Sequence, residues 1–444
     1  MRVTLVSLRP TDAALAQGRP ALTPELLAAT GARYSRSDDG LDAILARLDP
    51  ENADASVDRI FQFVDYGHAS IADMAPVALF IDGVSMWLAY ELFRIAPTAG
   101  GQESSTRYIR MGPEGLIDPN TLGIDEPAAW SARMDVAFAA YTAAVSFWER
   151  VATADPTRVR IPDGTPRKAA ERMRRNFAFD RARYFLPVAA QTNTMLVMSA
   201  RAWVGVCQHL LSHPLPEANR CGDAIQTELG LATPRLLRHA RRVDSIARGL
   251  EAEFLDRRAA ARAPIPPDHG AHLEIFAPDG IRPAADLALH DNRYGYFGEG
   301  LRRTAVRFGW DAVAFAEIRD LNRHRTGTRH CPLAPVGFYA ATDQLLAPDA
   351  AYEALVDVGL TATQTARTAL IGGDPAYIYG ALLGTQFPFE HTTTADKFLY
   401  EAELRTGNGA HFRYAEHLRD ALALWYERYP ETRGLVLEGS AEPE

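Results

Sequence analysis

The runs of apolar and polar positions along the chain predict its elements in order. "MRVTLVSLRP" opens on a short apolar stretch that reads as a strand, and a helix and "GARYSRSDDG" complete residues 1–36. Residues 41–65 have helical periodicity. "APVALFID" is rich in apolar and β-branched residues and predicts a strand; "GVSMWLAYELFR" predicts a helix ending near Pro97. In "PTAGGQESSTRY", Pro97, Gly100 and Gly101 forbid a continuing helix, so a loop is expected. Helical patterns follow at about 127–153, 167–185, 192–212 and 215–240.

The pattern then breaks. "RAAARAPIPPDHGAHLEIFAPDGIRPAAD" is rich in Pro, Ala and Gly and is expected to be a linker or an irregular crossover. Beyond it the order restarts: "RTAVRFG" as a strand, "WDAVAFAEIRDLNR" as an amphipathic helix, "GTRHCPLAPVGFY" as a Gly/Pro loop, then helices at about 349–370, 393–406 and 410–428. Both parts run strand, helix ending in Arg, Gly/Pro loop ending in an aromatic, then helices, with "ELFR" at 91–94 and "DLNR" at 320–323 in the same place. This is a degenerate internal repeat or two unrelated segments of mixed α and β structure. The expected fold class is α+β, in two halves that each hold a small β-sheet with long helices. The expected boundaries are 1–245, a linker or crossover at 246–290, and 291–444.

Composition narrows the function classes. The 444 residues carry a formal net charge of −9, with 47% hydrophobic and 23% charged residues. That argues against a general nucleic-acid or anionic-membrane binder. Three cysteines without a CxxC pair give no disulfide framework and fit a cytoplasmic setting. "MAPVALFIDGVSMWLAY" carries Asp82 and is too short to span a bilayer, so no membrane role is expected.

Against this acidic background "RHRTGT" at 323–328 stands out, followed at once by Arg329 and His330. Guanidiniums this close repel unless an anion or carboxylates lie between them. Glu317 and Asp320, one turn earlier, could supply that charge, which leaves a salt-bridge network open beside an anion site. "QESSTRYIR" offers Ser104, Ser105, Thr106 and Arg107 as phosphate donors, with Glu103 as an acceptor; an ordinary polar loop is the alternative. "DRARYFLP" carries Arg181 and Arg183, and "YEAELRTGNGAHFRY" carries Arg405 before "TGNG". Four such stretches suggest an anionic cofactor and an anionic substrate. No GxGxxG or GxxxxGK[ST] occurs. His209 and His213 lie at i, i+4 near Cys207, without an obvious third ligand type for zinc, and no metal is expected. Cys331, after Arg329, reads as an inert thiol before a nucleophile. Glu390 and His391 in "FPFEHTTTADKF" are expected at a helix start.

These residues resemble the flavin-dependent thymidylate synthase (ThyX) family, whose signature has the form R-H-R-x-x-S-x-x-x-x-S-x-R. "RHRTGT" matches its beginning, with Thr328 at the first Ser, and "PVGFY" stands where its end belongs. The first half is the reverse: Arg94 is followed by Ile95 and Ala96, while Glu103, Ser105, Arg107 and Tyr108 match E-x-S-x-R-Y. "ARYSRS" resembles the early A-R-x-S stretch and "GHASIADMAPVALFIDGVS" the G-H-x-S/T-x-x-E-H segment, with Asp73 and Met74 for Glu and His. "ARYFLPVAAQTNTMLVMSARAW" resembles A-R-x-x-L-P…N-A-R-S. The following Leu-Arg pair is His209 and Leu210 here, but Leu404 and Arg405 in the second half.

The resemblance implies a tandem-duplicated member whose copies have divided the site. It implies reductive C5-methylation of dUMP with FAD as cofactor and NADPH and methylenetetrahydrofolate as co-substrates. Another pyrimidine nucleotide, of nucleoside-antibiotic type, and a non-catalytic flavin- or nucleotide-binding homologue are the alternatives. Implied catalytic residues are Arg405 and Arg183. Implied cofactor residues are Arg323, His324, Arg325, Thr328, Ser35, His68, Ser70, Arg201 and His411. Implied substrate residues are Arg94, Glu103, Ser104, Ser105, Thr106 and Arg107. The implied assembly is a homodimer that mimics the family tetramer.

Overall fold

The computed structural model describes residues 1–444 except 39, 48–56, 59, 62–68, 266–269, 408 and 440–444. The chain forms two compact units that are interleaved in sequence. The first is Met1–Ser104, Thr121–Gly123 and Gln191–Ala252; the second is Ser105–Asn120, Ile124–Ala190 and Glu253–Glu444. The strands are β1 (Arg2–Val6), β2 (Pro76–Ser85), β3 (Gly100–Glu103), β4 (Gln191–Ser199), β5 (Ala271–Phe276), β6 (Ala305–Ala314), β7 (Thr328–His330), β8 (Gly337–Phe338) and β9 (Thr385–Thr394). The principal helices are α1 (Pro24–Tyr34), α2 (Met86–Ile95), α3 (Pro127–Ala154), α4 (Arg167–Ala182), α5 (Ala200–Ser212), α6 (Pro216–Ala232), α7 (Asp244–Arg262), α8 (Phe315–Leu321), α9 (Ala350–Gly372), α10 (Ala395–Thr406) and α11 (Phe412–Arg428). The fold class is α+β, as expected.

In the first unit the strands pair antiparallel in the order β1-β2-β4-β3. Strand β2 bulges between Asp82 and Val84, where Gly83 takes φ +69°, a conformation that favours glycine. It then passes straight into α2. Ser85 caps that helix, its Oγ accepting the Leu88 N–H at 3.0 Å. Its own N–H and O–H donate to the fully buried Glu217 carboxylate of α6, each at 2.7 Å. Strand β4 turns into α5 in the same way, with Ser199 accepting the Ala202 N–H.

The second unit repeats the plan. Its sheet runs β5-β6-β9-β7, all antiparallel, with β8 also on β9. Strand β6 has ten residues, like β2, bulges between Trp310 and Val313, and passes directly into α8. Strand β9 passes directly into α10. Arg94 and Arg323 each lie nine residues past their strand, and Leu210 and Arg405 each lie eleven past theirs. The core of this unit is aromatic. Trp148 of α3 donates its indole N–H to the Tyr352 oxygen at 2.9 Å, and the Tyr352 hydroxyl donates to the Ala340 carbonyl at 2.6 Å. Both rings are buried with their polar ends satisfied.

Several elements differ from expectation. The helix expected from 192 is a strand to Ser199. Thr192, Thr194, Leu196 and Met198 are buried while Gln191 and Asn193 are exposed, which is the period of a strand. "WDAVA" likewise continues β6, and the helix begins at Phe315. The Pro/Ala/Gly-rich stretch expected as a linker holds strand β5, and the loop after Pro97 holds strand β3. Glu390 and His391 lie inside β9 and not at a helix start, because they pair with Gly309 and Phe308 of β6. Among the described residues, no helix is long and apolar enough to cross a membrane.

Candidate functional site

In the second unit, residues 323–328 leave α8 and reach β7. Arg323 donates to the Asp320 carboxylate at 3.1 Å, back along the last turn of the helix. His324 is buried, and its Nε2 accepts the Arg405 Nε–H at 2.9 Å. Arg405, near the end of α10, also donates from Nη2 to the Asp320 carbonyl at 2.7 Å. Arg183 approaches from the chain after α4. It lies 3.7 Å from the other Asp320 oxygen and donates to Glu317 at 3.3 Å, while the Tyr184 hydroxyl donates to the same Glu317 oxygen at 2.8 Å. Three arginines therefore converge on Asp320. Arg325 and Thr328 are exposed, and about a quarter of the Arg323 side chain is open.

The loop is fixed from beneath by β9. Gly327 takes φ +75°, and a Cβ there would lie 2.1 Å from the Thr392 carbonyl oxygen. Thr328 pairs with Thr392 across the ladder. His391, fully buried, donates from Nε2 to the Thr326 carbonyl at 2.7 Å, and its Nδ1 lies 2.9 Å from Glu401 of α10.

A second group adjoins α4 and the start of α11. Arg107 spends all three nitrogens internally: Nε and Nη2 on the two Asp180 oxygens at 2.8 and 3.0 Å, Nη1 on the Gly409 carbonyl at 2.8 Å. Thr106 beside it is buried, and the Ser105 hydroxyl accepts the Arg107 N–H at 3.2 Å. His411 donates from Nε2 to the Asp180 carbonyl at 3.1 Å, and its Nδ1 accepts the Arg413 N–H as the cap of α11.

Electrostatics follow from burial and these partners. Burial alone raises the Asp320 carboxyl, but Arg323, Arg183 and Arg405 bring it down to about 2. Burial pushes Glu317 up to about 7 against the pull of Arg183 and the Tyr184 hydroxyl, and its Oε2 has no hydrogen-bond partner among the described residues. Burial pushes His324 down to about 3, against Glu401 and with help from Arg405, so the ring is neutral. Its Nε2 accepts from Arg405, and the ring proton is on Nδ1. Burial, with Arg183 and Arg107 nearby, also holds His411 well below its usual range. Glu401 is raised by burial, yet His324 and His391 draw it lower overall.

The remaining sequence candidates lie in the first unit. Arg94 grips Glu91 through Nε and Nη2 at 2.8 and 2.6 Å, and His209 lies 2.7 Å from the same carboxylate. Glu103 accepts from Thr192, and the Ser104 N–H extends the ladder to Asn193. Ser35 ends α1 and donates to the Ala32 carbonyl. Ser70 is exposed on a short turn of helix, and Arg201 pairs with Asp73 at 2.8 Å on the surface. His68 lies outside the described residues.

The third ligand type that the sequence does not reveal beside His209 and His213 is Glu91, all three offering ligand atoms within 4.8 Å of one another. Arg94 holds both Glu91 oxygens, and His213 Nδ1 accepts the Leu215 N–H at 3.1 Å. The arrangement is an ion-paired polar network. Cys207 and Cys221 are buried, and burial pushes the Cys207 thiol up to about 12. Sequence reasoning named the arginines but missed Asp180, Glu401 and the role of His391. The available signals were Glu401 one helical turn before Arg405 and a histidine inside an apolar alternation.

Residues 21–235 match the family model described as thymidylate synthase complementing protein. Two solved structures of PolB, a UMP/dUMP methylase from Streptomyces cacaoi, are similar to the chain. With 5-Br dUMP bound, the match has 16% identity and a TM-score of 0.33, covering 53% of this chain and 93% of that one. With 5-Br UMP bound, it has 16% identity and a TM-score of 0.33, covering 55% of this chain and 94% of that one. No curated protein matches the chain.

Proposed function

We propose, from the match of residues 21–235 to the thymidylate synthase complementing protein family, that the chain is a member of that family and a flavin-dependent enzyme that methylates C5 of a pyrimidine nucleotide. The observation that carries this reading is the convergence of Arg183, Arg323 and Arg405 on Asp320 within one unit, with His324 held neutral among them. It supplies oriented positive charge, which suits a reaction whose electron chemistry belongs to a cofactor.

The donors fit an anionic, flat cofactor such as FAD. Arg325 and Thr328 are exposed, Arg323 is partly so, and the inner side of the loop is anchored to β9. When bound, the flavin supplies hydride-transfer chemistry. Arg323, Arg325 and Thr328 would hold its phosphates. Arg405 would offset negative charge developing on the uracil ring. Arg183 is buried and would act through Asp320, whose carboxylate holds Arg323, and its second carboxylate partner is Glu317.

dUMP is the proposed substrate, with methylenetetrahydrofolate as carbon donor and NADPH as reductant; a homodimer is the proposed assembly. A second reading, a flavin-binding homologue without turnover, is favoured by one observation. Arg107, the phosphate residue of the resemblance, has all three nitrogens engaged by Asp180 and Gly409.

The test is the visible absorption spectrum of the purified protein, before and after FAD and then dUMP. A flavin spectrum that shifts on dUMP addition supports the enzyme. Flavin uptake without a spectral shift on dUMP and without reduction by NADPH favours the second reading. No flavin uptake removes the family chemistry from this chain.

A further inference from the structure

The arginine loop is held by His391, which the sequence marks only at an expected helix start, and by Glu401, which no sequence motif marks. The Thr326 carbonyl can only accept, so His391 Nε2 donates to it at 2.7 Å. On the opposite side of the ring, Nδ1 faces Glu401 at 2.9 Å. The ring is therefore gripped at both ends, and both side chains are 0–1% exposed. The other Glu401 oxygen lies 3.5 Å from His324 Nε2. That nitrogen already accepts from Arg405, so the carboxylate gains no hydrogen bond there and contributes charge alone.

Two rigid elements thus meet at one ring. His391 sits mid-strand in β9, opposite Phe308 of β6, and Glu401 sits on α10, one turn before Arg405. A shift of α10 relative to β9 would move Arg405 and the Thr326 backbone together. The loop has few other ties on this side: the Thr328 ladder pair and a 3.4 Å contact between the Thr393 and Thr326 hydroxyls.

We infer that His391 and Glu401 are positioning residues, a clamp that presets the Arg323–Thr328 loop for a phosphate-bearing cofactor through Thr326. The inference rests on the proposed flavin reading for its ligand, but not for its geometry. The ligand gains because the loop is ordered before binding and that ordering is not drawn from binding energy.

Two readouts keep the geometry and the ligand apart. The first is amide hydrogen exchange of residues 323–328 in the protein as purified, in wild type, His391→Leu, His391→Gln and Glu401→Leu. Exchange is expected to accelerate at least tenfold in His391→Leu and Glu401→Leu, with partial rescue in His391→Gln, which keeps a donor for Thr326. The β2–β4 amides of the first unit should be unchanged. The second is FAD affinity by flavin fluorescence in variants whose circular dichroism and melting confirm folding. A rise in Kd of about tenfold is expected for His391→Leu, and less for His391→Gln.

Unchanged exchange in both leucine variants overturns the clamp. Accelerated exchange with unchanged FAD affinity overturns its role in cofactor positioning. Wild-type protein that takes up no FAD overturns the proposed function, while the exchange data still decide the clamp. If His391→Leu fails to fold, Glu401→Leu carries both measurements from the helix side.

Discussion

Arg405 donates its Nε–H to His324 Nε2 across 2.9 Å, and its Nη2 reaches the Asp320 carbonyl at 2.7 Å. One guanidinium therefore ties the end of α10 both to the last turn of α8 and to the loop beyond it. It also fixes the tautomer of His324, because a nitrogen that accepts cannot carry the proton. Arg405→Ala is expected to lower turnover by about a hundredfold, the scale for losing a preorganised charge at the reacting ring. Flavin affinity should weaken by about tenfold at most, the worth of one hydrogen bond. Steady-state kinetics beside flavin titration check this. Full activity in the variant would take Arg405 out of the mechanism.

Arg107 and Asp180 make a different prediction, about stability. Both are buried, and the pair is bidentate. Removing the guanidinium leaves an uncompensated carboxylate, which costs about 3–5 kcal/mol. Arg107→Ala should lower the unfolding free energy by that amount, read as a lower urea midpoint at constant slope. Arg107→Lys should recover only part, because a point charge cannot span two oxygens and the Gly409 carbonyl. If Arg107→Ala unfolds at the wild-type midpoint and loses only nucleotide affinity, the residue is a phosphate ligand and not an internal strut.

What the sequence made legible divides along physical lines. The arginines of 323–328 were visible because a cluster of like charge needs a counter-charge, with Asp320 one turn and Glu317 nearly two turns before Arg323, and Arg183 and Arg405 were visible in their own stretches at helix ends. Asp180 and Glu401 were not visible. Helical periodicity assigns a charged residue to solvent, yet these two are buried because Arg107 and His391 meet them from 73 and 10 residues away. The strand at 191–199 was misread because it enters α5 without a Gly or Pro to mark the change. Its period-2 burial was nonetheless written in Thr192, Thr194, Leu196 and Met198. The repeat was legible as an order of elements, and the matched spacings of Arg94 with Arg323 and of Leu210 with Arg405 give it a register.

Three buried histidines set the acid side of the stability curve. Burial pushes His324 and His417 down to about 3, with Arg405 and Arg413 adding to the shift, and His411 lies well below its ordinary value. Below about 6.5 the unfolded chain takes up a proton at each ring and the folded chain does not, so falling pH favours unfolding. Each ring contributes about 1.4 kcal/mol per pH unit over that window. Glu317 acts in the opposite sense: folded at about 7 and unfolded near 4.5, it makes the fold less stable as pH rises between those values. Asp374, Glu416 and Asp420, also raised by burial, act with Glu317, while Asp320, Glu91 and Glu401, held low, act with the three rings, and the expected balance is a loss of stability on acidification. Melting temperatures from pH 7 to pH 5 should fall, and His417→Phe should reduce the slope by one proton. A slope that His417→Phe leaves unchanged would show that this ring is not held neutral.

Gly327 tests how tightly the arginine loop is seated. Its φ of +75° would strain any other residue, and an added Cβ would meet the Thr392 carbonyl oxygen at 2.1 Å and the Thr393 Cβ at 2.8 Å. Backbone strain alone costs about 1–2 kcal/mol. Gly164 has nearly the same φ, +78°, with nothing within 4 Å of the added carbon, so it reports the strain without the clash. Gly164→Ala should therefore lose about 1 kcal/mol and Gly327→Ala clearly more, read as urea midpoints at constant slope. The difference between the two is the steric price of lifting the loop from β9. It should appear together with weaker flavin uptake in Gly327→Ala and with none in Gly164→Ala. Equal losses in the two variants would mean that the loop yields freely, and that β9 does not set the position of Arg323 and Arg325.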